Sequence, residues 1–105
     1  MSSNVPQFTT PTLIFTFKED IDLTQATEVV VSLESVKTGK LIEKTGNDLI
    51  VEPKKVTAEL TQEESAAFAV GEVKAMVNWL LPNGKRPASN KKIFDIVDNL
   101  HRQVM

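Results

Sequence analysis

Val73-Lys74-Ala75-Met76-Val77-Asn78-Trp79-Leu80-Leu81 leads directly into Pro82-Asn83-Gly84-Lys85-Arg86, and this stretch reads as one arm of a β-hairpin followed by its turn. Successive side chains of a strand point to opposite faces. Val73, Ala75, Val77, Trp79 and Leu81 therefore share one side, while Lys74, Met76, Asn78 and Leu80 share the other. Asn83-Gly84 accepts the positive φ angles of tight hairpin turns. A second strand is expected to return antiparallel through Lys91-Lys92-Ile93-Phe94-Asp95-Ile96-Val97. Ile93, Val97, Leu100 and Val104 also fit a helical stripe. The hairpin turn favours a strand to Val97, with a helical or extended tail over 98–105.

Working backwards, the Leu60-Thr61-Gln62-Glu63-Glu64 segment carries a helix-start signal. Thr61 can accept the N–H of Glu64 while the Glu64 side chain reaches back, the reciprocal arrangement of a capping box. The spacing predicts a short crossover helix from Gln62 to Ala69, with Phe68 on the core and Gly71 ending it. Val56, Ala58 and Leu60 alternate with Lys55, Thr57 and Glu59 as a strand with a charged outer face. Lys40–Lys44 and Leu49–Glu52 read as short strands bounded by Gly39, Thr45-Gly46-Asn47-Asp48 and Pro53. Thr27–Ser35 is rich in β-branched residues and turns Val29, Val31 and Leu33 inward. Thr12–Phe17 places Leu13, Phe15 and Phe17 on one face, and Pro6 and Pro11 mark its approach as a sheet edge. Ile21, Leu23 and Ala26 are expected to plug one end of the core. Residues 1–10 are expected to form a mobile start.

About seven short antiparallel strands with one helical crossover match an all-β, immunoglobulin-like sandwich, with a barrel as the competing closure. The expected core comprises Phe15, Phe17, Val29, Val31, Leu33, Leu60, Phe68, Val77 and Trp79, with Trp79 filling the space between sheets. A chain of 105 residues forms one domain. Its 41% hydrophobic and 25% charged content is that of a folded globular protein rather than a disordered one. A formal charge of -2 supplies no general attraction to nucleic acid or anionic membranes.

The absence of cysteine excludes disulfides, thiolate metal sites and a cysteine nucleophile. The first residues lack the pattern of a secretory signal, and no apolar run is long enough to span a membrane, so synthesis and retention in a cytoplasm are expected unless a larger particle carries the chain out. His101 beside Arg102 reads as a surface residue, and no serine occupies a nucleophile elbow. Glu19, Asp20 and Asp22 could offer oxygen to calcium but lack EF-hand spacing, so a solvated acidic turn is expected. Lys85, Arg86, Lys91 and Lys92 around the hairpin tip, like Lys37, Lys40 and Lys44 elsewhere, read as solubilising and edge-protecting charges. No cofactor and no small-molecule substrate are implied. Met76 and Leu80, opposite Trp79, are expected beneath the C-terminal tail, with a contact patch for a partner as the alternative.

Three segments carry a resemblance: Asp22-Leu23-Thr24-Gln25-Ala26 leading to Val29-Val30-Val31-Ser32-Leu33, then Leu60-Thr61-Gln62-Glu63-Glu64-Ser65, then Asn83-Gly84-Lys85-Arg86 with Ala88-Ser89. Together they resemble small proteins encoded in the tail-gene regions of phages and prophages of Gram-positive bacteria. From Thr12 onward the chain is similar to the N-terminal, immunoglobulin-like domain of phage baseplate upper proteins. The resemblance implies a non-catalytic component of a tail tip or baseplate, or a tail-assembly adaptor, and a place in the virion. Its partners would be other phage structural proteins or a second copy of itself. The linker and receptor-binding region of the baseplate proteins do not follow Met105 here, so receptor attachment is not expected of this chain. Met76, Leu80, Leu100 and Val104 are the candidate interaction residues. A carbohydrate-binding sandwich is the alternative, but it would need exposed aromatics, and tyrosine is absent.

Overall fold

The computed structural model describes residues 3–17, 21–89 and 91–105. The strands are β1 (Ser3–Pro6), β2 (Thr12–Thr16), β3 (Glu28–Ser35), β4 (Leu41–Thr45), β5 (Leu49–Glu52), β6 (Lys55–Glu59), β7 (Gly71–Leu80) and β8 (Lys92–Val97), and the helix is α1 (Gln62–Ala67). They form a five-stranded sheet in the order β1-β8-β7-β3-β4 and a three-stranded sheet in the order β2-β6-β5. From β2 onward these are the B-E-D and G-F-C-C′ layers of an immunoglobulin-like sandwich. The open edges of both sheets distinguish it from a barrel.

Alternation produces the core directly. β7 buries Val73, Ala75, Val77 and Trp79, and β3 buries Val29, Val31, Leu33 and Ser35. Phe15, Val56, Ala58 and Leu60 face them from the smaller sheet, while Phe68 closes the α1 end, fully buried. Trp79 packs edge-on against the half-buried Phe17, with ring centroids 5.5 Å apart and planes at 73°. Leu23 plugs the opposite pole from a 3-10 turn (Leu23–Gln25), where the Asp22 side chain caps the Thr24 N–H and the Leu23 N–H donates to Pro53 O. Of the acidic residues weighed for calcium, Glu19 and Asp20 lie outside the described residues, and Asp22 accepts the Thr24 N–H at 3.0 Å.

Five expectations need correction. Ser3–Pro6, expected in a mobile start, forms an eighth strand and pairs parallel with β8, so the sandwich is not antiparallel throughout. Val5 holds it there by burial in the core. Gly71 does not end α1; the helix stops at Ala67, Phe68 is its extended C-cap, and Gly71 opens β7 with a φ of 139° that favours glycine. The hairpin turn is not a two-residue Asn-Gly turn. Gly84 N–H donates to Leu81 O at 2.9 Å and Leu81 N–H to Lys85 O at 2.8 Å, with Gly84 but not Asn83 at positive φ. This is a type I turn, with Pro82 supplying the first central φ, followed by a left-handed glycine.

Nor does the return arm pair at once. The β7–β8 ladder runs from Gly71↔Ile96 to Ala75↔Lys92. Beyond it, Pro87–Ser89 forms an irregular border to β7, with Trp79 N–H on Pro87 O at 3.2 Å and Ser89 N–H on Val77 O at 2.8 Å. Finally, the tail does not cover Met76 and Leu80. It is irregular, tied by an Asp98–Arg102 ion pair at 2.8 Å. Its end docks on α1, where Gln62 accepts the Met105 N–H at 2.6 Å.

Candidate interaction surfaces

The outer face of the five-stranded sheet takes its composition from strand register. Glu28 lies opposite Leu80, Val30 opposite Asn78, Ser32 opposite Met76, and Glu34 opposite Lys74. β4 adds Leu41 beside Glu34, Glu43 beside Ser32 and Thr45 beside Val30, and β8 adds Ile93 beside Lys74. Met76, Leu80 and Val30 are half-buried within this face, while Leu41 and Ile93 are exposed at its two borders. A groove of about 340 Å³ crosses it, lined by Glu28, Val30, Ser32, Asn78, Leu80 and Arg86, among others. Ser32 donates to Glu43 at 2.9 Å and fixes that carboxylate along the groove.

Leu100 and Val104 do not join this face. β8 runs away from Lys92 toward the end of β7 at which Gly71 lies, so the tail emerges at the pole opposite Leu80. There Leu100 is 95% exposed, and Val104 is also exposed. The candidate residues thus divide into a sheet face and a tail.

The alternation of Thr12–Thr16 also produces a second apolar surface. On the outer side of the three-stranded sheet, Ile14 and Ile50 both pair with Thr57, making one cross-strand row in which Ile14 is 51% and Ile50 63% exposed. The basic residues also separate. Lys85 and Arg86 stay near the hairpin tip, whereas Lys92 crosses toward β2, donating to Ile14 O at 3.3 Å and standing 5.3 Å from the Phe15 ring centroid. Lys44 turns inward, buried, and pairs with Glu64.

The carboxyl groups with displaced ionisation serve structure. Burial pushes the Glu64 carboxyl up, but hydrogen bonds from Lys44 and the Thr61 N–H, with the Lys44 charge, hold it below the ordinary glutamate range. Asp98 is lowered by its hydrogen bond and charge pairing with Arg102. His101 N–H donates to Asn99 at 3.1 Å, a local turn contact. Among the described residues no three His, Cys, Asp or Glu side chains converge as a metal site, and no helix is long and apolar enough to cross a membrane. All six aromatic residues, five Phe and Trp79, are buried or half-buried.

No protein-family model matches the sequence, and no curated protein matches it. Among solved structures, the sandwich is similar to part of a protein from Bacteroides vulgatus ATCC 8482 described as a "putative glycoside hydrolase". The TM-score is 0.53 at 10% sequence identity, covering 95% of this chain and 17% of that one. The chain therefore spans less than a fifth of that protein's length, and at this identity the likeness concerns the fold alone.

Proposed function

We propose that this chain is a non-catalytic interaction module of a phage or prophage tail or baseplate, or an adaptor in tail assembly, acting through the outer face of its five-stranded sheet. The observation that carries this reading is the placement of Met76 and Leu80. They sit on β7 opposite Ser32 and Glu28, half-buried, with exposed Leu41 and Ile93 bordering the same sheet face. Apolar side chains here alternate with Glu28, Ser32, Glu34, Lys74 and Asn78, and such a mixed apolar and polar surface is the average composition of a non-obligate protein contact. The resemblance of the Asp22–Leu33, Leu60–Ser65 and Asn83–Ser89 segments to phage tail-region proteins supplies the setting, in which partners are neighbouring tail proteins or a second copy. A sugar-binding role has weaker support, because stacking on a sugar needs an exposed ring and Trp79 is buried. Mass spectrometry of purified, induced particles tests the setting. The chain is expected among the particle proteins or their assembly intermediates, and its absence from both would refute the reading.

A further inference from the structure

β2 ends the three-stranded sheet, and the direction in which its backbone points can be read from the register. Thr12 pairs with Glu59 and Thr16 with Lys55. Just beyond the ladder, Leu60 N–H donates to Pro11 O at 3.0 Å and Phe17 N–H to Lys54 O at 2.9 Å. Hydrogen-bonded and non-bonded pairs alternate along an antiparallel ladder. Pro11, Leu13, Phe15 and Phe17 therefore turn their backbone toward β6, and Thr12, Ile14 and Thr16 present theirs to the open side. Such a row is a template for another strand.

That open side borders a groove of about 460 Å³ between the sheets. Leu13, Ile14 and Phe15 line it from β2, Phe94 and Lys92 from β8, and Val5 from β1. Among the described residues Lys92 is the one charged side chain lining the groove, and its Nζ donates to Ile14 O, an acceptor on the open edge, at 3.3 Å. An inward lysine of this kind protects an unpaired edge. It also states what can replace it: a carboxylate that takes the ammonium, carried on an extended backbone that takes Ile14 O.

We propose that the β2 edge and the groove beside it form a strand-addition site for an extended segment of a partner protein that carries aliphatic side chains flanking one acidic residue on its inward face. The partner backbone pairs with Thr12, Ile14 and Thr16. Its aliphatic groups enter against Phe15 and Phe94, and its carboxylate pairs with Lys92. Main-chain bonds supply affinity and alternate side chains supply selectivity, as in other strand-addition complexes. This site is separate from the Met76 and Leu80 face and stands or falls independently of it.

The probe is a blocked peptide, acetyl-Thr-Val-Thr-Asp-Thr-Val-Thr-amide, with a counterpart carrying Lys in place of Asp, titrated into the full chain and followed by amide NMR. The Asp peptide is expected to shift the Thr12, Ile14 and Thr16 amides and slow their hydrogen exchange. The Lys peptide should bind roughly tenfold more weakly, the scale of one lost charge-assisted hydrogen bond. Lys92→Ala should remove the difference between the two peptides. Ile14→Pro removes the central edge donor without touching the β6 ladder, a position where an edge strand accepts proline, so it should keep the free protein's circular-dichroism spectrum and lose peptide binding. Met76→Asp/Leu80→Asp should leave peptide binding unchanged. Unaltered β2 amides at the solubility limit of the Asp peptide, or shifts centred on Met76 and Leu80, would overturn the proposal.

Discussion

Lys44 and Glu64 form an ion pair that ties edge strand β4 to the first turn of α1, and the same Glu64 oxygen accepts the Thr61 N–H at 2.8 Å. Thr61 returns the favour of the cap by accepting the Glu64 N–H at 3.1 Å. One carboxylate thus completes a capping box and neutralises a buried lysine. A helix as short as Gln62–Ala67 has little stability of its own. Its place depends on these contacts and on Phe68.

Because Glu64 ionises below its ordinary value of 4.5 in the folded chain, the stabilisation it provides is present above that value. It is lost as pH falls through the lower, folded value, where protonation removes the charge. Glu64→Ala is expected to cost about 1–2 kcal/mol at neutral pH through loss of the cap and the pair. Glu64→Gln should cost less, since glutamine can keep the capping role. Chemical denaturation at pH 7 and at pH values below 4.5 checks this: the gap between Glu64→Gln and the parent chain should close at the acid end.

The Phe17–Trp79 contact spans the two layers near the pole plugged by Leu23. Trp79→Ala is expected to destabilise by about 3–5 kcal/mol, the usual loss for a large buried aromatic. A double-mutant cycle of Phe17→Leu with Trp79→Phe should give a coupling of about 0.5–1.5 kcal/mol, as an edge-to-face pair does. Far-ultraviolet circular dichroism followed through chemical denaturation provides the readout, since the Trp79 variants lack the chain's single tryptophan.

Much of this interior was legible from alternation alone. Strands β2 through β8 lie where period-two patterning placed them, and the Thr61–Glu64 signal found α1. What escaped was tertiary. β1 is short, holds a proline and pairs parallel with a strand distant in sequence, so no local pattern marks it. The burial of Lys44 was signalled weakly by its sharing Ile42's side of β4, but the charge argued for solvent until Glu64 was brought opposite. Lys92 resembled a tip residue because it follows the turn closely in sequence; the irregular Pro87–Ser89 border sets it midway along β7, opposite Ala75. Pro82 was the cue that the turn would be of type I, with Gly84 alone left-handed.

Ser65 is fully buried, and its hydroxyl donates to Thr9 O at 2.7 Å while accepting the Thr9 N–H at 3.0 Å. It thereby fixes the link between β1 and β2, where Phe8 has a φ of 61°, left-handed for a bulky residue. Ser65→Ala leaves both Thr9 groups without that partner and is expected to cost about 1–3 kcal/mol. Hydrogen exchange should show increased opening of β1 and the Gln7–Thr9 turn, with β3 and the β7 core unchanged.

Gly84 adopts a φ of 86° that a side chain rarely accepts. Gly84→Val is expected to cost about 1–2 kcal/mol, and thermal unfolding measures it. The loss should appear without any change in the Glu64 pH dependence, since turn and helix lie in separate parts of the fold.

The most direct measurement is the abundance of the Met76→Asp/Leu80→Asp chain in purified particles, relative to the parent chain expressed at the same level. Both side chains lie on the outer face, so the variant should keep the parent's circular-dichroism spectrum. The expected result is a folded variant depleted from particles by at least about tenfold, the consequence of placing charge in an apolar contact. A folded variant present at parental abundance would contradict the assignment of this face as the docking surface.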